Sequence, residues 1–579
     1  QATPPPKTAA TAPAAPAGAA MAKAPPTAGP PVTLMPAATA RPFQMATVSI
    51  GSIDRLLVNG AKLVGKAIPI PMTPGGVRDM LLSEMGLAPE VAANLDLGSP
   101  SGAALVALDD KGKSGIVLAI PARGPAEADK LIAALGKPVM TSGPLTMVAN
   151  AAGKSQGWVY KAGSVVLLGD EAEGMARGAM LALEARRPSS DDATVTIFPE
   201  AVARAHGTDV KTAIAAFIDQ VRQTQAATNP MVSPDSAAYE TFGTMFGLVG
   251  DAERIEIGLL ADPARGLILR GRLIPRPGTA LETAARDVHP FEIDPGVTTG
   301  PGAPIMIGAT SIGTVWRQIL GIYRARMAAD KGKGVAAALA YYDAFLSGLA
   351  GEQSGIVSFE NDRPYLTGAF STPLKDAAAA AKTAAALGKM DSAAMSVFVR
   401  SQLGTKWPEM LDWTAKVEKV GKAKAMHFRL TIKKGSAIDT ETARKWLGSG
   451  FDFYQAVAGT RAVTTFGRDA RARLLAIAAG KKTASPPSKG AAFQEAEASA
   501  KGRDGFYYFD FAPILGVIGE AAGNPRLSAA AHATGGPIPL VFTSGGDGAG
   551  KALTMDLTLP LSAFTSIGAL LAAGVMTPS

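Results

Sequence analysis

The chain has no cysteine among its 579 residues. That removes disulfides, thiol nucleophiles and thiolate metal sites in one step. Other marks of chemistry are missing too. There is no GxSxG elbow, no SxxK, no HExxH and no GxGxxG set between a strand and a helix. His206, His289, His427 and His532 lie more than 80 residues apart, without an HxH or HxxxH neighbour, so sequence spacing builds no metal site. Aromatics are only 6% of the chain while Gly and Ala are abundant, so the apolar positions are mostly small and helices should pack closely.

Long apolar runs are also missing. The nearest candidate for a spanning helix, LPLSAFTSIGALLAAGVM (559–576), is interrupted by Ser562, Thr565 and Ser566 and falls short of the ~20 apolar residues a bilayer needs. It reads as a packed terminal helix. The net charge of +8 is spread over 57 basic and 49 acidic residues, a balance that speaks for solubility and against a nucleic-acid partner. The densest basic stretch, KVEKVGKAKAMHFRLTIKKG (416–435), reads as a solvated strand and loop.

The first 42 residues lack acidic side chains altogether and hold 15 Ala and 11 Pro, with Lys7, Lys23 and Arg41 as their charges. This composition, after an opening Gln1, is expected of a disordered Ala/Pro-rich tether exposed by removal of a signal peptide. A lipidated cysteine before Gln1 would make the association with a membrane peripheral and lipid-tethered. The acidic pairs Asp109–Asp110, Asp170–Glu171 and Asp191–Asp192 fall in predicted turns, where such residues bond their own backbone and cap the following helix.

What the sequence does contain is an internal repeat. Four segments share one order of strand, polar turn, strand, Pro and helix: residues 104–135, 254–285, 354–385 and 539–571. The second strand of each runs to a proline, Pro121, Pro275, Pro373 or Pro560, which withholds a ladder donor and fixes φ. A strand leading into a helix recurs at 45–63, 192–205, 303–320 and 505–521, and a hairpin with a basic helix at 157–187 and 451–482.

The repeat decides how SGGDGAGKAL (544–553) is read. Gly545, Gly550 and Lys551 have the spacing of a phosphate-binding loop, but Ala552 stands where Ser or Thr is needed, and ALTMDLTL continues as a strand. A phosphate loop must run straight into a helix. Lys551 is therefore expected at a hairpin tip, and no cofactor site is assigned.

Taken together, the pattern predicts an α+β fold of two similar halves, each of antiparallel β-hairpins followed by helices packed on one sheet face. The expected divisions are the tether at 1–42, a first half at 43–296 and a second half at 297–579, with an insertion near 400–425. In that insertion Trp407 and Trp413 form the one mild aromatic cluster, a candidate partner contact. No catalytic, cofactor or metal residue is assigned.

The strand ends LAIP, RLIP and LTLP and the opening GFYYFDFAPIL resemble those of a loose group of exported bacterial envelope proteins of unknown function. The resemblance implies an extracytoplasmic location, in the periplasm or cell envelope of a Gram-negative bacterium, and transfers no functional residue. The expected function is non-catalytic binding or scaffolding with an envelope protein as partner. The alternative is a carrier of a lipid or other hydrophobic ligand in a groove between the halves, and a hydrolase ranks below both.

Overall fold

The structure, a computed structural model, describes residues 31–68, 75–76, 79, 89–149, 154–228, 233–294, 296–297, 303–359, 366–441, 450–480, 490–521, 526, 529 and 536–572. The expected tether up to residue 30, most of the Gly/Pro-rich junction, the polar linker 481–489 and His532 lie outside the described residues.

Among the described residues, twenty strands form one antiparallel sheet. In chain order they are β1 (Gln44–Ile50), β2 (Ser101–Ala107), β3 (Ser114–Pro121), β4 (Lys137–Ser142), β5 (Leu145–Ala149), β6 (Ser155–Ala162), β7 (Val165–Gly169), β8 (Ala193–Ile197), β9 (Ala252–Asp262) and β10 (Gly266–Pro275). There follow β11 (Ala303–Ser311), β12 (Glu352–Phe359), β13 (Leu366–Pro373), β14 (Leu411–Val420), β15 (Ala423–Ile432), β16 (Phe451–Ala458), β17 (Arg461–Phe466), β18 (Gly505–Asp510), β19 (Pro539–Gly546) and β20 (Leu553–Pro560). Pairing places them in the order 4-5-6-7-3-2-1-8-9-10-20-19-18-11-12-13-17-16-15-14. The centre of the order is the β10–β20 seam, where Gly266–Leu273 runs against Leu553–Pro560.

Each of the four repeated hairpins is followed by a helix, and the proline is the last residue of its strand: Pro121 in β3, Pro275 in β10, Pro373 in β13 and Pro560 in β20. At the end of a strand the missing donor costs nothing to the ladder. The helix after β3, Pro125–Leu135, opens on another proline, whose fixed φ suits the first helical position.

Register divides the sheet into two faces, because successive side chains point to opposite sides. Gly102, Ser49, Thr194, Gly258, Arg270, Asp556, Thr543 and Phe506 lie in one row across β2, β1, β8, β9, β10, β20, β19 and β18. The opposite face carries Val48, Val195, Ile257, Gly271, Met555 and Ser544 in a parallel row. The first face is polar near the seam; the second is apolar.

Helices cover both faces, which corrects the expectation that they pack on one. On the polar-centred face, the helix Ala172–Ala185 closes over β2 and β3 through Ala104, Val106, Val117 and Ala119. Gly115 of β3 meets Gly174 there, and a Cβ built at residue 115 would stand 2.8 Å from the Gly174 Cα. Farther along the same face, the helix Ala491–Ser499 buries Phe493 against Ile307, Ile356, Ala369, Phe506 and Tyr508, each large side chain contributing about 1.5–3 kcal/mol. On the apolar face, the helices Phe511–Ala521 and Leu561–Ala572 share a core with Leu559 of β20. Helices Thr314–Ala329, Val335–Gly348, Ala377–Leu387 and Ser392–Leu403 gather around Tyr341, Tyr342 and Met426. Over β2 and β3, the small residues Gly102, Ala104, Gly115 and Ala119 let a helix approach a face expected to be half-solvated.

Residues 31–42, expected in the tether, are folded: Ala37 and Ala40 are buried in the core under Ala172–Ala185, and the Met35 N–H donates to the Ala176 carbonyl at 2.8 Å. Residues 400–425 hold the end of one helix, the single turn Trp407–Met410 and the β14–β15 hairpin, which is continuous with the main sheet through β16. Asp191 and Asp192, expected to cap a helix, are buried and turned inward instead. Asp192 accepts from Arg55 Nε at 2.6 Å and from the Ala261 N–H at 2.8 Å; Asp191 accepts from Arg270 at 2.8 Å. A strand and not a helix follows them, so they had no helix to cap. No helix among the described residues is long and apolar enough to cross a membrane.

Candidate functional site

The apolar face is incompletely covered at the seam. Helices Ala237–Gly250 and Thr314–Ala329 pack on each other over β10, β20, β19 and β18, and between helices and sheet they leave a cavity of about 450 Å³. Its floor is Leu273 of β10, Leu553 and Met555 of β20, Phe542 of β19 and Tyr507 of β18; its walls are Phe242, Met245, Phe246, Val315 and Trp316. The lining residues before 296 come from one side of the seam, and those after 303 from the other. Phe242, Met245, Phe246 and Trp316 stay substantially exposed, so the cavity opens to the surface along its aromatic wall.

One end of the cavity is polar and tightly bonded. Asp287 Oδ2 accepts from Thr314 N–H at 2.8 Å and from Thr314 Oγ1 at 2.6 Å, capping the helix whose own N-cap, Gly313, has no side chain to do so. Those bonds, before the partial burial that opposes them, hold the Asp287 carboxyl below the usual carboxylate range. His289 Nε2 lies 2.8 Å from the other Asp287 oxygen, and the His289 N–H donates to Asp504. Asp504 also accepts from the Gly546 N–H at 2.9 Å; burial raises its pKa against these bonds. The backbone ties the end together: Ser311 N–H donates to the Asp504 carbonyl, and Asp504 N–H to that of Ser544.

A second concavity, about 710 Å³, lies on the opposite face over β1, β8, β9 and β10. Thr47, Ser49, Thr194 and Thr196 form its floor, with Arg254, Arg272, Glu256 and Arg187 around them. Most of its charge is internally matched: Arg254 with Glu256 at 3.0 Å, Arg272 with Glu256 at 3.8 Å, Arg270 with Asp191. Paired charges leave little field for a ligand.

Two histidines meet carboxylates. His427 stacks on Tyr454 at 4.3 Å, with Nε2 2.7 Å from Asp452 and Nδ1 4.0 Å from Glu418. Acids face both ring nitrogens, so neither is placed to take a proton from a hydroxyl nucleophile. In the His289 pair, the carboxylate stands between the imidazole and the Thr314 hydroxyl, the reverse of the order a nucleophile and its base require. Among the described residues no group of three or more His, Asp and Glu is arranged to hold a metal.

Trp407 and Trp413 are half-buried side by side in one small core with Met410, Leu411 and Ile438, and Trp413 Nε1 donates to Ser396 Oγ at 3.0 Å. Neither lines the cavities just described. Lys551 stands in the turn between β19 and β20, where Asp547 accepts its N–H, and is exposed. Sequence reasoning offered a groove between the halves but none of its lining residues, because they come from eight separate elements. The one available signal was the apolar alternation of LILRGRLIP and LTMDLTLP on strands that proved to be neighbours.

No family model, no curated protein and no solved structure matches the chain.

Proposed function

We propose that the protein is a non-catalytic carrier of a hydrophobic ligand held in the seam cavity. The observation that carries this reading is the cavity itself: about 450 Å³, apolar on floor and wall, open to the surface, and lined from both sides of the β10–β20 seam. Its volume is in the range of small-ligand sites, about 300–1,000 Å³. The exposed Phe242, Met245, Phe246 and Trp316 would otherwise form an apolar patch with no partner. An envelope location is part of the proposal and rests on the strand-end resemblance.

We also propose that the chain is a duplication of one unit. In the strand order, strand n on one side of the seam and strand n+10 on the other occupy mirrored places from β10/β20 out to β4/β14. Among the differences between the two sides, Phe493 fills the face over β11 and β18, whereas the corresponding face over β1 and β8 is open.

Titration with the neutral apolar fluorophore N-phenyl-1-naphthylamine tests the carrier. One equivalent should bind, and Met555→Trp, which places an indole on the cavity floor, should weaken binding by about tenfold or more while costing about 1–3 kcal/mol of stability. Unchanged binding by a folded Met555→Trp variant, or no binding by the parent chain, would sink the proposal.

A further inference from the structure

Resting on the carrier reading, we infer that the seam cavity selects a single-chain amphiphile with a neutral or cationic headgroup and turns away anionic ones, carboxylate and phosphate alike. The cavity lies in the lower part of the size range of small-ligand sites, which favours one alkyl chain over two. Its lining contains no Lys or Arg, but it does contain Asp287 and Asp504, together at the polar end. The nearest arginines in sequence are committed elsewhere, Arg286 to Glu282 and Arg503 to Asp556 on the other face of the sheet. His289, the remaining cationic candidate, is exposed and bonded to both acids through its ring and its backbone.

A carboxylate or phosphate entering beside these two groups in an apolar enclosure would place like charges together with no Lys or Arg in the lining to offset them. One of them would have to take up a proton. A neutral hydroxylated headgroup meets a different surface. Thr310, Ser311 and Ser544 line the same end, and hydroxyls can both donate to and accept from such a headgroup. A cationic headgroup gains directly from the carboxylates.

The test is displacement of N-phenyl-1-naphthylamine from the full chain at neutral pH by four ten-carbon probes: monodecanoylglycerol, decyltrimethylammonium, decanoate and decyl phosphate. The neutral and cationic probes should compete at least about tenfold more tightly than the two anions. Equal affinities would overturn the headgroup inference and leave the carrier reading standing, whereas failure of all four probes and of the fluorophore would overturn both. In Asp287→Asn/Asp504→Asn the gap between decanoate and the glyceride should shrink to about threefold or less, and an unchanged gap in the folded variant would count against the inference. If that variant does not fold, the ratio in the parent chain decides.

Discussion

Aspartate does the long-range joining in this chain. Asp192, fully buried, connects the helix Ile53–Ala67 through Arg55 to β9 through Ala261. Asp191 reaches Arg270 of β10, and Gly258 leaves the space it needs, since a Cβ there would stand 2.2 Å from the Asp191 carboxylate. Asp287 ties residues 287 and 314 across the junction by capping the helix Thr314–Ala329. Asp287→Ala should cost about 1–2 kcal/mol in urea unfolding at neutral pH. The loss should shrink as pH falls through the lowered folded pKa of Asp287, because the bonded carboxylate stays ionised where the unfolded chain has already taken up its proton. A cost that does not vary between neutral and acid pH would show that the cap is not what Asp287 supplies. None of these roles was legible in sequence. An Asp-Asp pair before a strand looks like any turn, and its partners lie between 69 and 137 residues away.

At the level of elements, the hairpins and the helices after them were legible because two strong local signals coincide: alternation with a period of two, and a proline at the strand end. The number of helical layers was not. It depends on which alternate positions are small, and Gly102, Ala104, Gly115, Val117 and Ala119 declare a common face only once β2 and β3 are paired in register. Gly115 meets Gly174 in that layer, and Gly102 meets the Ala182 carbonyl still more closely. Gly115→Val should push the helix Ala172–Ala185 off the sheet and lower stability by about 1–3 kcal/mol, read from the urea midpoint. A variant as stable as the parent would mean the helix can slide to accommodate it. Trp407 and Trp413 were visible as a cluster in sequence, but their burial against Met410 and Ile438 depended on the β14–β15 pairing, which brings Leu430 and Ile432 to them.

For the whole molecule, the decisive joint is β10 with β20. The apolar residues Leu267, Leu269 and Leu273 stand beside Leu559, Leu557 and Leu553, so separating the two sides would expose two long strand edges and the cavity floor together. Residues 31–294 and 303–572 co-expressed as separate chains should therefore purify as one complex, with the fluorophore site intact. Recovery of two soluble pieces that do not associate would show the seam to be dispensable. That the two sides join edge to edge was beyond sequence reading: either hairpin could have offered its outer strand to solvent, and the sequence of an edge strand does not name its partner.

The same order leaves the sheet open, with β4 and β14 at its ends, each paired on one side among the described residues. In polymer terms, a body with two reactive ends is a difunctional monomer, and it adds to itself without limit unless the ends are capped. Here the caps are chemical. At β4, Pro138 withholds a donor and the register breaks between Pro138 and Met140; along β14, Asp412, Lys416 and Lys419 face solvent and make a second copy an unwelcome neighbour. Chain growth is thus opposed at both ends by sixteen residues, six in β4 and ten in β14.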